Sequence, residues 1–181
     1  MDKTDQELMG VFQQGDDLAF VILYNRHKRN LVFFCSRVLQ DHDVAEDIAQ
    51  EAFLKVYLQR SKLNADGNFK SFLFTIARNL CLNRLRDQKK NIRIAEEICS
   101  ANEFVIKENT IAIENNDILN RALAQLNADY RELVLLRDYE GFSYREISEI
   151  TRLSESAIKA KLFKARLKLR DMLLPILKEG A

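Results

Sequence analysis

From Met1 to Leu174 the chain contains no proline, and only five glycines interrupt its 181 residues. Both residue types break helices, so their scarcity leaves long segments in which a 3.6-residue apolar period can run undisturbed. Strand-type alternation is scarce, and the expectation is an all-α protein. With 47% apolar residues the chain can bury a real core, and its length suits one large domain or, as preferred here, two small ones.

Charge divides the chain rather than biasing it. Lysine and arginine number 28 against 27 aspartates and glutamates, which rules out a whole-chain electrostatic case for nucleic acid. Residues 1–51 carry ten acids and five bases, while Arg78 to Arg93 carries six cations and one acid. Residues 94–116 turn acidic again and lose clear periodicity, which marks a linker with short helices at most. Glu155 to Arg170 then holds six cations against Glu155 alone. The predicted architecture is therefore two small helical domains, 1–93 and 117–181, joined by an acidic linker over 94–116, with a helix-turn-helix in the second.

Taken in order, Thr4 and Glu7 form a capping-box pattern that opens a first helix through Leu8, Val11 and Phe12, ended by Gly15. Asp16 or Asp17 then caps a long helix whose stripe is Phe20, Tyr24, His27, Leu31, Phe34 and Val38. On such a stripe His27 reads as a satisfied interior residue rather than a ligand. A third helix is expected to begin at Asp43, with Glu46 as cap partner. Its apolar line, Val44, Ile48, Ala52 and Val56, leaves Asp47, Gln50, Glu51 and Leu54 largely on other faces. Asn64 to Asn68 is a loop by its turn residues, and Phe69 opens a helix that is aromatic at its start and basic at its end. Aromatic rings beside cations suit single-stranded nucleic acid, because bases stack on rings while the backbone is neutralised. A core helix with a basic tail accounts for the same residues.

Helices resume near Ile118, and Asn127 caps one that ends at Gly141. Ser143 with Glu146 makes a second capping box, Thr151-Arg152-Leu153 forms a turn, and Ser154 caps the next helix. In that helix Ile158, Leu162, Ala165 and Leu169 face a core, while Ala160, Phe163 and Lys164 face away. Two capped helices joined by a short turn, the second strongly basic, point to duplex DNA, since each neutralised phosphate releases counterions.

Chemistry of other kinds finds little support. The three cysteines, Cys35, Cys81 and Cys99, show no CxxC spacing, and only His27 and His42 could supply imidazole, so no metal site, cofactor or disulfide framework is indicated. Cys35 and Cys81 read as buried thiols. There is no HExxH, P-loop or GxSxG motif and no distinct carboxylate pair, so no catalytic residue is assigned. No apolar run approaches the ~18 residues of a membrane span, no signal peptide opens the chain, and a cytosolic protein is expected.

These segments, in this order, resemble bacterial RNA polymerase sigma factors of the extracytoplasmic-function type, which keep only the second and fourth sigma regions joined by a linker. The resemblance implies a non-enzymatic transcription initiation factor that binds core RNA polymerase and promoter DNA, with an anti-sigma factor as a further partner of some members. It assigns polymerase binding to Asp47, Gln50, Glu51 and Leu54. It assigns the melted promoter strand to the segment from Phe69 to Asn79, with Lys70, Phe72, Arg78 and Asn79; the asparagine- and glycine-rich loop before it adds Asn64 and Asn68, which can wrap an extruded base, and the basic helix after it adds Asn83 and Arg84 for the flanking phosphates, with Arg78 alternatively turned toward the fold. It assigns the upstream promoter element to Ser156, Lys159, Ala160, Lys161, Phe163 and Lys164. Tyr57 and Phe72 stand where tryptophan is common in the family. Arg152 occupies a turn position often filled by glycine, at a cost of about 1 kcal/mol if its backbone is left-handed. The competing reading is a stand-alone helix-turn-helix regulator whose N-terminal part senses or dimerises.

Overall fold

The structure, a computed structural model, describes residues 3–63, 67–98 and 117–179, and every regular element among them is helical. Four helices build the N-terminal half: α1 (Asp5–Gln13), α2 (Asp17–Leu39), α3 (His42–Leu58) and α4 (Phe69–Ile98). Thr4 Oγ1 accepts the Glu7 amide at 3.2 Å while the Glu7 carboxylate accepts the Thr4 amide at 2.6 Å, so α1 starts as its capping box requires. Asp16 caps α2, accepting from Leu18 at 3.0 Å. For α3 the cap is Asp41, not Asp43, and its carboxylate accepts the Val44 amide at 3.1 Å. The reason lies one residue earlier. Gln40 turns left-handed at φ 58° to end α2, which leaves Asp41 extended and poised to start the next helix at once.

A cluster of rings fills the end of the α2–α3 hairpin, with Phe12, Phe20, Tyr24, Phe53 and Tyr57 in contact at centroid distances from 4.7 to 6.3 Å. Tyr57 keeps a donor where the family often has indole: its hydroxyl donates to Asp17 at 3.1 Å. His27 is buried, bonded to Asp5 at 2.6 Å and set at a tilt against the Phe69 ring, as an interior residue should be. Cys35 and Cys81 are buried and free; their mutual contact, then burial, pushes the Cys81 thiol well up. Helix α4 continues through residues 94–98, where the linker is expected to begin.

The C-terminal half comprises α5 (Asp117–Gln125), α6 (Ala128–Val134), α7 (Tyr144–Thr151) and α8 (Glu155–Glu179). Asn127 caps α6 at 2.9 Å. Helix α6 opens into a π-turn over Leu135–Tyr139, where the Glu140 amide reaches back to the Leu135 carbonyl at 2.9 Å, and Gly141 at φ +75° stops it. Ser143 and Glu146 form the predicted box at α7, and Ser154 Oγ accepts the Ala157 amide at 3.3 Å to start α8. Arg152 does adopt the left-handed region, φ 63° and ψ 17°.

The halves share one core. Phe34 of α2 meets Phe74 of α4, and Phe74 meets Phe142 of the α6–α7 turn, both at 5.2 Å. Arg131 donates across the joint to the Val38 carbonyl at 3.3 Å, and Gln40 donates to the Ala124 carbonyl at 3.1 Å.

Candidate nucleic-acid and polymerase interfaces

Helix α8 presents its inner stripe, Ile158, Leu162 and Ala165, to the core and turns Ser156, Ala160, Phe163 and Lys164 outward. Phe163 is 65% exposed, far more than packing would leave it. Lys159 also lies on the open side, its ammonium 5.2 Å from the Tyr144 ring centroid, which couples the two helices of the motif. Lys161 is less free: it ion-pairs with Asp129 at 2.7 Å. Further along, Arg166 pairs with Asp138 and Lys168 covers Tyr130 at 5.3 Å. The start of α8 is therefore the part whose charge is most available to DNA.

Helix α4 splits its predicted residues between two faces. Phe72, Asn79 and Asn83 recur at spacings that share one stripe with Ile76, and Asn79, Asn83 and the neighbouring Arg84 are exposed. Phe72 is half-buried against the core. Lys70 and Arg78 point instead at the C-terminal half. The Lys70 ammonium lies 2.8 Å from the Glu140 carboxylate and 2.7 Å from its carbonyl, and sits over the Phe142 ring. The Arg78 guanidinium pairs with Glu132 through Nε and, at 3.4 Å, Nη2. Burial pushes the Glu132 carboxyl up, and Arg78 offsets only part of this. Asn68 has two tasks: its carbonyl oxygen caps α4 at the Ser71 amide, 3.1 Å away, and its amide donates to Glu146 at 2.6 Å. Asn64 lies outside the described residues.

On α3, Asp47, Gln50, Glu51 and Leu54 are all placed away from the apolar line; all four are exposed, and Glu51 pairs with Lys55 one turn on, at 3.0 Å. Leu58, which the sequence reading omitted, is 71% exposed and continues the line of Leu54. Leu18, Val21 and Ile22 of α2 are exposed beside that end of the hairpin. Their signal was present in the sequence, as apolar residues off the buried stripes of their helices. The acids Glu132, Glu140 and Glu146 gave no such signal, because their partners lie far away in the chain. Among the described residues no helix is long and apolar enough to cross a membrane.

Comparison with known proteins agrees with this layout. The family model of sigma-70 region 2 matches residues 23–91, and that of sigma-70 region 4 matches residues 116–169. The RNA polymerase sigma-H factor of Pseudomonas aeruginosa is 27% identical, covering 98% of this chain and 98% of its own length. The ECF RNA polymerase sigma-E factor of Escherichia coli is 28% identical, covering 97% of each. Among solved structures, the sigma factor RpoE of Bartonella quintana, determined with the anti-sigma factor NepR, aligns with a TM-score of 0.71 at 25% identity, over 85% of this chain and 96% of that one. Two sigma regions in family order over most of the chain disfavour a stand-alone regulator. The chain belongs to the bacterial sigma-70 family, as a sigma factor of the extracytoplasmic-function type: a transcription initiation factor that binds core RNA polymerase and directs it to promoters.

Proposed function

We propose that the factor divides promoter initiation among three surfaces carried by two working units, residues 1–93 and 117–181, connected through 94–116. The outward face of α8, with Ser156, Lys159, Ala160, Lys161, Phe163 and Lys164, reads the upstream element in the major groove. The outward stripe of α4, Phe72, Asn79, Asn83 and Arg84, together with Asn64, Asn68, Lys70 and Arg78, holds one melted strand by stacking, base-edge bonds and phosphate contacts. The face of α3 bearing Asp47, Gln50, Glu51 and Leu54, extended here to Leu58, docks on core polymerase. The carrying observation is that Asp47, Glu51, Leu54 and Leu58 are exposed and unused by the core, opposite in character to the exposed amides and bases of α4.

The factor acts in the cytoplasm and supplies recognition rather than chemistry, leaving bond formation to the polymerase. An anti-sigma factor belongs among its partners by analogy with RpoE and NepR. The test is transcription in vitro with core polymerase on a promoter library. Transcripts should share two upstream sequence elements, and Asp47→Lys with Glu51→Lys should abolish them and weaken polymerase binding while melting temperature stays near wild type. Full-strength polymerase binding by that double variant moves the interface elsewhere.

A further inference from the structure

The cations on and beside the outward face of α8 are restrained by different means. Asp129 takes the Lys161 ammonium at 2.7 Å and Asp138 takes the Arg166 guanidinium at 2.5 Å, so each meets a carboxylate that offsets its charge and occupies part of its donor set. Lys164 is exposed and has no partner among the described residues. Lys159 is held otherwise, with its ammonium over the face of Tyr144, 5.2 Å from the ring centroid. A π face attracts an ammonium through its quadrupole without neutralising it, so the charge stays whole and the three N–H donors remain open to stronger acceptors.

The ring is itself fixed by its surroundings. Tyr144 is the first residue of α7 and half-buried; beside it Ser143 Oγ accepts the Glu146 amide at 3.2 Å and the Glu146 carboxylate accepts the Ser143 amide at 2.7 Å. Arg137 stacks on the same ring, 4.8 Å from its centroid, and is anchored by donating to the Phe142 carbonyl at 2.7 Å. Lys159 falls in the second turn of α8, at the end of a recognition helix that meets base edges. We propose that Tyr144 is a positioning residue for promoter recognition, whose ring holds Lys159 at the groove-facing end of α8 so that the ammonium meets the acceptor atoms of one base, guanine O6 and N7 above all. Its charge is then intact, and the flexible stem has fewer rotamers left to lose on binding. Tyr144 acts through Lys159 and makes no base contact of its own. This rests on the assignment of the outward face of α8 to the upstream element.

The test is transcription by the full chain with core RNA polymerase from promoters randomised over the upstream element, scored position by position, with Tm measured for each variant. Lys159→Ala should flatten the preference at one base pair roughly tenfold. Tyr144→Leu should flatten that same position several-fold, while preferences elsewhere and the salt dependence of promoter binding stay as in wild type, since no charge is removed. Tyr144→Phe keeps the face of the ring and should keep the discrimination. Tyr144→Leu combined with Lys159→Ala should be no flatter than Lys159→Ala by itself. A ring that merely packs the motif gives another pattern, a loss spread over every position in step with a lower Tm. That pattern, or Tyr144→Phe failing as Tyr144→Leu does, overturns the positioning. A spectroscopic readout on the folded wild-type chain guards against a Tyr144→Leu variant that fails to fold. In spectra of carbon-labelled lysine, the Lys159 ε-methylene protons, assigned as the signal lost in Lys159→Arg, should lie upfield through the Tyr144 ring current, and an unshifted signal overturns the inference. The two readings fail separately. If Lys159→Ala leaves every base preference unchanged, base reading by Lys159 falls and the inference with it; if Lys159→Ala flattens one position and Tyr144→Leu does not, only the positioning falls.

Discussion

Arg152 shows how one residue can carry a cost that its neighbours oblige it to bear. Its left-handed backbone ends α7 so that Thr151 and Leu153 can turn the chain into α8, and its side chain is exposed. Arg152→Gly removes the steric penalty and, after allowing for the entropy glycine adds to the unfolded chain, should gain about 0.5 kcal/mol and about 1–2 °C in Tm. Urea and thermal unfolding check this, and a loss of stability would mean that the arginine makes an interaction worth more than the strain. Glu132 makes the opposite kind of statement, since its carboxyl is pushed above 4.5 chiefly by burial, while Arg78 and Lys161 pull it down and Asp129 adds to the rise. A raised carboxyl stabilises the fold fully below its unfolded pKa and loses that contribution as pH rises through the folded one. Wild type should therefore gain stability relative to Glu132→Gln as pH falls from neutral toward 4.5 and level off below it. Urea midpoints for both proteins across that window supply the measurement, and a constant difference would place Glu132 in water.

At the scale of elements, helix caps decide where each functional side chain points. Ser143 and Glu146 set the start of α7, Arg152 its end, and Ser154 the start of α8, so the phase that turns Ala160, Phe163 and Lys164 outward follows from local bonds. Because Asp129 already holds Lys161 at an exposed pair worth little, DNA can recruit that lysine at small cost. Lys161→Ala with Lys164→Ala should lower the slope of log affinity against log salt by about 0.9 for each phosphate that is no longer neutralised. Binding of an upstream-element duplex across a salt series gives the answer, and an unchanged slope excludes this end of α8 from the backbone. Helix α4 is the harder element to read. Its period distinguishes Phe72, Asn79 and Asn83 from the buried line, but cannot say that Lys70 and Arg78 would be engaged by another helix.

Over the whole molecule, the joint sets what the separate surfaces can do together. Apolar contact among Phe34, Phe74 and Phe142 supplies its non-directional attraction, and the three acid–donor contacts fix its register. A buried ion pair of this sort adds little net stability, yet reversing one partner leaves a buried charge opposed. The joint therefore tolerates loss of a whole pair far better than reversal of one partner's charge.

Most of the helices, their caps, the buried stripes and the outward faces of α3 and α8 were legible in the chain, because each depends on residues within about one turn of one another. Even the left-handed turn at Arg152 could be anticipated from its place between two caps. Asp41 displaced Asp43 as a cap because the tight turn at Gln40 is set by how α2 and α3 pack, which no local pattern reports. The pairing of Arg78 with Glu132 and of Lys70 with Glu140 joins residues 54 and 70 positions apart. Local sequence determined what each helix could offer; only the packing of one half on the other decided which of those offers is taken, because buried charges choose partners by distance in space.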